Sequence, residues 1–427
     1  MRDLRNVDFN RRPGGPAAIP AREIGKVAYR KSGMKKIKAN LLLRICFLVI
    51  LALLATMLVE ARRTEERIGL SVEGKWATTP GSILAVGDSA VPLVVAEPSP
   101  AGGCEIKGLD EKSGLFSIWN SSSVAQTALV AGGKIWVLGG GKLSGVDSSG
   151  KSVTSEQAEV IAVDAQGDVL AYVRKTGPPA DARQLWAPEE LVVMDVKRGK
   201  LLYSVPREGR RAVAISLLGQ LDGTANPDGV KVAIGSILPG YPLRSTVEFY
   251  GAKGKRGEWV GAEGLVRCLQ DAGEAGSVYA ATRNLVVRLD LTGKVLWKYY
   301  TTDDVLALCP CDDGVIIALA SGTGNIPLLN WVKKDRLIKL GSNGAQAWSC
   351  SIAGGIRGLS LGPLISGSQT VAVSTRSGLE LFTPGGERVG HVSLEGGARA
   401  AHATGDRLYA LGGDWILWGL RANSDKR

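Results

Sequence analysis

Residues 290 to 297 read Asp290-Leu291-Thr292-Gly293-Lys294-Val295-Leu296-Trp297. The apolar run NLVVRLD at 284–290 leads into them, a polar turn carrying a glycine follows, and the chain resumes as an apolar strand ending on a large aromatic. Strand, turn, strand in that order is a β-hairpin signal.

The hairpin recurs. GLDEKSGLFSIW (108–119), GVDSSGKSVT (145–154), VMDVKRGKLLY (193–203), FYGAKGKRGEW (249–259), KLGSNGAQAW (339–348) and LFTPGGERVGH (381–391) have the same form. Their turn glycines, with Gly293 among them, are Gly114, Gly150, Gly199, Gly254, Gly344 and Gly386, spaced 36, 49, 55, 39, 51 and 42 residues apart in chain order. The mean, about 45 residues, is that of one four-stranded propeller blade per repeat. Between the hairpins stand short apolar runs such as KIWVLGG, VKVAIGS, GVIIALA and TVAVSTR, bounded by Gly, Asp, Asn or Ser. Helical periodicity is scarce after residue 80, so the architecture is all-β. The 56 glycines show no third-position period and read as tight turns, which excludes collagen; 45% hydrophobic against 22% charged residues excludes a wholly disordered chain.

Four or five residues past each turn glycine stand Trp119, Thr154, Tyr203, Trp259, Trp297, Trp348 and His391. Five of these seven are Trp or Tyr, so one position per blade calls for a large flat side chain wedged between neighbouring sheets. Spacing this regular favours packing over carbohydrate or quinone stacking. The blades fall at 81–120, 124–157, 160–207, 212–262, 265–300, 304–353 and 356–396, followed by a three-stranded remnant at 398–420. The segment IGLSVEGKW (68–76) has the Gly-then-Trp ending of a fourth strand. Pairing it with the remnant closes an eight-bladed ring and buries its edges; seven blades is the alternative.

Over about residues 80 to 420 the chain resembles the quinoprotein-like β-propellers with their PQQ-like repeat, which runs through Asp, Thr-Gly-Lys and a closing Trp. Asp290 to Trp297 matches it, Asp195 to Tyr203 keeps Asp, Gly and Lys, and Gly344 to Trp348 keeps the turn and the Trp. The resemblance implies a propeller and raises pyrroloquinoline quinone chemistry, with calcium, a catalytic Asp and adjacent cysteines over the quinone. No Cys-Cys pair occurs, the domain is much shorter than those enzymes, and no Asp/Glu/Asn cluster has calcium-ligand spacing. No catalytic, cofactor-binding or metal residue is therefore assigned, and no cofactor. The outer-membrane assembly lipoproteins with the same repeat are, by resemblance, scaffolds.

Residues 1–44 hold twelve Lys/Arg against Asp3, Asp8 and Glu23, a balance of +9 within a total of +11; the remainder has 40 basic and 38 acidic side chains. A basic stripe for nucleic acid is absent from the large domain. Directly after the tail, LLLRICFLVILALLATMLV (41–59) carries one charge, Arg44. As a helix it is about 28 Å long, close to the roughly 30 Å hydrocarbon core, and Arg44 snorkels from its end turn. The basic flank puts the N-terminus in the cytoplasm and the bulk outside. A cleaved signal peptide, with Val59-Glu60-Ala61 as its site, is the alternative; the basic region is long for one. Cys46 follows Arg44-Ile45 and lacks the small residue a lipidation site wants. The expected organisation is a disordered basic tail (1–40), a transmembrane helix (41–59), a linker with the ring-closing strand (60–79), the propeller (80–420) and a short tail (421–427). The first tail attracts anionic inner-leaflet lipids or only sets topology.

Five cysteines, Cys104, Cys268, Cys309, Cys311 and Cys350, follow the span, an odd number. Cys309-Pro310-Cys311 lacks the C-x-x-C spacing of zinc knuckles and reads as strand-end cysteines, with a disulfide to another blade as the alternative. Asp303-Asp304 and Asp312-Asp313 flank one strand; they form either a divalent-cation site on one face of the ring or solvated turns. Gly139-Gly140-Gly141 and Gly322-Thr323-Gly324 lack the following helix and lysine of a phosphate cradle and read as turns. The two histidines, His391 and His402, pack or cap, and their scarcity weighs against a histidine-based metal or catalytic centre.

The function this predicts is a non-enzymatic, single-pass membrane-anchored propeller, a binding or assembly scaffold in the cell envelope. One propeller face presents converging loops to a protein or envelope-polymer partner. A quinone-dependent dehydrogenase and a single-pass envelope sensor are the alternatives.

Overall fold

Asp290 Oδ1 accepts hydrogen bonds from Thr292 N at 2.8 Å, Thr292 Oγ1 at 2.6 Å and Lys294 N at 3.0 Å, while Gly293 N donates to Asp290 O at 3.0 Å. The side chain thus takes over amides that the tight turn leaves without backbone acceptors. Asp147 closes its turn in the same way onto Ser149 N (3.0 Å) and Lys151 N (2.9 Å). All seven turn glycines lie in the left-handed region, with φ from 66° at Gly199 to 102° at Gly254.

The computed structural model describes residues 68–424, apart from 87–92, 111, 165–166, 179–185, 208, 219–228, 240–243, 262–263, 274–275, 322–333, 354 and 366–367. The basic tail and the apolar segment 41–59 lie outside the described residues. Among the described residues no helix is long and apolar enough to cross a membrane.

Eight four-stranded antiparallel sheets make up the domain. Blades 1 to 7 occupy 83–121, 127–157, 160–207, 211–261, 268–300, 304–352 and 356–393, each a simple meander. Blade 8 takes Ala398–Thr404, Arg407–Gly412 and Ile416–Ser424 from the C-terminal end and Ile68–Ala77 from the N-terminal end as its outermost strand. The first strands of successive blades touch one another around the ring, and that of blade 8 touches that of blade 1. The eight-bladed expectation holds and the seven-bladed alternative does not.

Burial follows strand position. In blade 5 the two middle strands, Ser277–Ala281 and Leu285–Asp290, are buried nearly throughout, whereas the outer strand Val295–Tyr300 alternates half-buried and exposed residues. A single sheet has no means of covering both apolar faces, so each blade is stable only between neighbours. Val278, Val287 and Leu289, for example, pack with Phe249 and Trp259 of blade 4.

The repeated aromatics join blades. Trp297 of blade 5 donates Nε1–H to Ser342 O in the outer turn of blade 6 (2.9 Å), and Trp348 of blade 6 donates to Pro384 O in that of blade 7 (3.1 Å). The Trp297 ring lies over Gly344, where an added Cβ would stand 2.7 Å from it. Gly344 also has φ 80°. Gly344→Ala therefore meets both backbone strain and a clash, whereas Gly199→Ala, at φ 66° with open space around it, meets strain alone. Thermal denaturation should show a loss of about 1 kcal/mol for Gly199→Ala and at least twice that for Gly344→Ala.

Not anticipated from sequence is a β-bulge in the outermost strand pair of every blade. In five blades the extra residue, Ile118, Val153, Leu202, Leu296 or Ala347, immediately precedes the repeated large position. A bulge sharpens the twist locally, which turns the next side chain toward the adjacent blade.

The meander divides the connections between two faces. Turns between first and second and between third and fourth strands lie on one, the lower face; turns between second and third strands and the links between blades lie on the other, the upper face. Ile68 pairs with Ser424 and Ala77 with Ile416, so both ends of the ring are on the lower face.

Candidate functional site

Bulges also interrupt the innermost strand pair, but only in blades 4, 6, 7 and 8. The extra residues at the upper end of those strands are Val213, Leu306, Arg357 and Arg399, each following a buried apolar residue (Ala212, Val305, Ile356 and Ala398). All four bulge side chains are exposed. The bulge drops one residue from the ladder and re-aims its side chain outward. On three consecutive blades the upper face thus presents Leu306, Arg357 and Arg399 around the inner ring.

Loops fixed by their own backbones complete the surface. Arg376, in the turn joining the second and third strands of blade 7, is exposed, and its N–H donates to Gly355 O at 3.2 Å. Arg357 Nη1 donates to Gly396 O at 3.2 Å, and Gly413 N to Gly397 O at 2.8 Å. At Gly413 a Cβ would stand only 1.8 Å from Gly396 O, so the blade 8 turn reaches this position because it carries no side chain there.

The same turn holds Trp415 at φ 65°, the one described non-glycine residue with a positive φ. Its carbonyl accepts from Thr78 N (2.8 Å) and Thr78 Oγ1 (2.5 Å), immediately beyond the ring-closing strand. Such a conformation costs about 1–2 kcal/mol and persists where surrounding contacts enforce it. The Arg399 guanidinium lies 4.0 Å from the Trp415 ring centroid.

Among the described residues none of Arg357, Arg376 and Arg399 forms an ion pair with a carboxylate, although Arg283 and Arg336 on the same face pair with Asp304 (2.7 Å) and Asp303 (2.5 Å). Partial desolvation, together with the charges of Arg399 and Arg376, pulls Arg357 below the ordinary arginine range.

The strand Asp304–Cys311 separates the two aspartate pairs, Asp303-Asp304 above and Asp312-Asp313 below, so they do not share a face. Asp313 instead pairs with Lys339 at 2.6 Å. Gly140 and Gly141 form the upper turn of blade 2, and 322–324 lies outside the described residues. His402 faces Tyr409 across blade 8, and burial lowers its pKa; His391 lies opposite Glu380. Among the described residues no group of three or more His, Cys, Asp or Glu is placed to hold a metal.

All five described cysteines are free thiols. Burial, then the neighbouring Cys311, pushes Cys309 up to about 12, and burial pushes Cys350 to about 11. Since the thiolate is the nucleophile, iodoacetamide at pH 8 should leave Cys309 unmodified in the folded protein and modify it after unfolding, as read by peptide mass spectrometry.

One ionic cluster is buried between blades 3 and 4. Arg207, with its side chain 1% exposed, pairs with Glu189 (2.5 Å) and Glu248 (2.7 Å) and donates to Ser236 Oγ (2.5 Å). Arg210 joins Glu248 (2.8 Å) to Glu258 (2.5 Å), and Lys255 adds a further contact to Glu258 (2.6 Å). Burial lifts Glu189 above the usual range even beside Arg207; in Glu248 burial is outweighed by Arg207 and Arg210, and the carboxyl sits low. For Glu258 burial is outweighed by hydrogen bonds from Lys255, Arg210 and Thr246, which bring it to about 2. A carboxyl depressed in the fold stabilises above its ordinary pKa of 4.5 and loses that contribution as pH falls toward the folded value. The melting-temperature gap between the protein and its Glu258→Gln variant should accordingly close between about pH 4.5 and about pH 2.

Comparison of the whole structure with solved ones places the ring among known propellers. Saccharomyces cerevisiae Sqt1 superposes with a TM-score of 0.59 at 10% identity, covering 82% of this chain and 98% of that one. BamB from Moraxella catarrhalis gives 0.50 at 14%, over 83% and 100%. Chaetomium thermophilum Sqt1 bound to the N-terminus of the ribosomal protein L10 gives 0.57 at 12%, over 82% and 100%. The fold is an eight-bladed β-propeller. At these identities the likeness is one of fold alone. No family model and no curated protein sequence matches the chain.

Arg357, Arg376, Arg399 and Trp415 are not among the residues expected from sequence to form a site. A signal for two of them is present: Gly354-Gly355-Ile356-Arg357-Gly358 and Gly396-Gly397-Ala398-Arg399-Ala400 repeat one pattern at the same place in successive blades.

Proposed function

We propose that this chain is a non-enzymatic, membrane-anchored extracytoplasmic scaffold of the cell envelope, its propeller built on a quinoprotein-like repeat and held by the apolar segment 41–59. The observation that carries the reading is the division of labour between the two faces. Both ends of the ring are on the lower face, while the described upper face of blades 6 to 8 presents backbone-fastened turns and exposed arginines that pair with no carboxylate. A surface of that kind binds without having to reorganise. Fold neighbours lend support: Chaetomium Sqt1 is seen with the N-terminus of a ribosomal protein, and BBS1N with ARL6DN. The basic tail adds attraction to anionic inner-leaflet lipids.

Crosslinking from the propeller in native membranes, combined with protease added to intact cells, tests this. A dominant protein or envelope-polymer adduct, with the propeller digested from outside, is the expected result. A propeller shielded from protease in intact cells and degraded only after lysis sinks the envelope location. Absence of any adduct sinks the scaffold role.

A further inference from the structure

We propose that the upper face across blades 6, 7 and 8 docks an acidic polypeptide segment, its carboxylates paired with Arg357, Arg376 and Arg399 and its apolar side chains against Leu306 and Trp415. The proposal rests on the scaffold reading and gives it a site and a partner chemistry.

Two independent features of the backbone put the arginines there. Bulges at matching ladder positions of adjacent inner strands expel Arg357 and Arg399, and the turn carrying Arg376 is fastened to Gly355. The inner strands of blades 7 and 8 also approach closely. At Gly362 a Cβ would stand 2.8 Å from Ala403 O, and at Gly358 3.1 Å from Arg399 O. Like charges held this near one another on rigid backbone destabilise the free protein, and an incoming anion relieves that repulsion. Among the described residues no carboxylate on the neighbouring loops pairs with them. Glu395 makes no ion pair with any of the three, Asp414 Oδ1 accepts from Ile416 N (3.2 Å), and Asp335 is taken up by Ser321 N (3.0 Å) and Ile356 N (2.6 Å).

Guanidinium forks match carboxylates in plane and geometry, and they also match phosphates. The apolar part of the surface decides between the two. Leu306 is 40% exposed at the bulge position next to Arg357, and Trp415 offers its half-buried ring beside Arg399. A polyphosphate-type chain has nothing to place on a leucine and an indole, whereas a peptide that alternates acidic and apolar residues satisfies both.

The test is selection of random peptides displayed on phage against the immobilised full-length protein, followed by fluorescence titration of the best synthetic peptide. Acidic peptides with apolar residues should be enriched. Their affinity should fall about tenfold with Arg399→Gln and about a hundredfold or more with Arg357, Arg376 and Arg399 all changed to Gln, and it should weaken as salt rises. The three side chains are exposed and repel one another, so the Gln variants should melt at or slightly above the parent, and Arg357→Glu with Arg399→Glu should turn the selection toward basic peptides. Enriched peptides without acidic bias overturn the proposal, as does inorganic polyphosphate binding more tightly than any peptide. Peptides that bind regardless of the arginine changes overturn the site and leave the scaffold reading standing. A selection that enriches nothing overturns the site; if native-membrane crosslinking also recovers no partner, the scaffold reading goes with it.

Discussion

Protein that begins at Thr78 should fail to form a soluble, cooperatively melting ring, while protein that begins at Ile68 should melt as one unit. The deleted strand Ile68–Ala77 is the outermost member of blade 8 and pairs with Ile416–Ser424 along its length. Without it the backbone edge of Ile416–Ser424 is bare, a template for pairing with other chains. Trp76 is lost as well, and with it the cover over Leu84, Leu93, Leu109, Tyr409 and Leu417, the core shared by blades 8 and 1. The loss is comparable with the stability of a whole domain, roughly 5–15 kcal/mol. Thermal melts and size-exclusion chromatography of the two lengths read it directly. Addition of a synthetic peptide spanning 68–77 should restore part of the monomer, and a Thr78-start protein as stable as the longer form would refute the closure. Thr78 holds the Trp415 carbonyl, and only the paired strand before it fixes Thr78 there, so the unclosed form should also lose the conformation of that turn.

Arg207→Ala should cost about 3–5 kcal/mol, more than any exposed ion-pair substitution in the domain. Removal of the guanidinium leaves Glu189, nearly inaccessible, without the cation that compensates its burial, and leaves the equally inaccessible Glu248 with only Arg210 and Lys255 at the edge of the cluster. Denaturant unfolding provides the measurement. Attraction between two charges in such a setting is largely offset by their desolvation, so the cost comes from what is left behind. Arg207→Met combined with Glu189→Gln and Glu248→Gln should therefore recover most of the stability, and a triple variant as weak as Arg207→Ala would contradict that account.

Sequence patterning carried the architecture because it is local. The turn glycines, the apolar strands around them and the aromatic a few residues on are all set within one hairpin, so the blade period survives even where Trp is replaced by Thr154 or His391. The closing strand was legible for the same reason, through the Gly-then-Trp ending at Trp76. Bulges were not, since the extra residue of a pair is defined by its partner strand and leaves no composition of its own. The buried cluster escaped notice because Arg207, Glu189 and Glu248 come from two blades and meet only once those are stacked. The arginine surface lay in between. Its Gly-Gly-x-Arg pattern repeats in plain view, but glycine pairs abound in a chain of tight turns. Only the register shifts show that these two arginines leave the ladder. The aspartate pairs illustrate the opposite hazard: Asp304 and Asp312 are close in sequence, yet one strand length sets them on opposite faces.

Both loose ends of the ring, Ile68 and Ser424, emerge on the face away from the arginines, and the closing strand runs from one face to the other. A pull between a tether at Ile68 and a load on the far side is therefore directed along that strand. Every rung joining it to Ile416–Ser424 shares such a force at once, in shear, instead of parting one after another as in a zipper. The seam that looks weakest on paper, because no covalent link crosses it, is oriented to resist traction best.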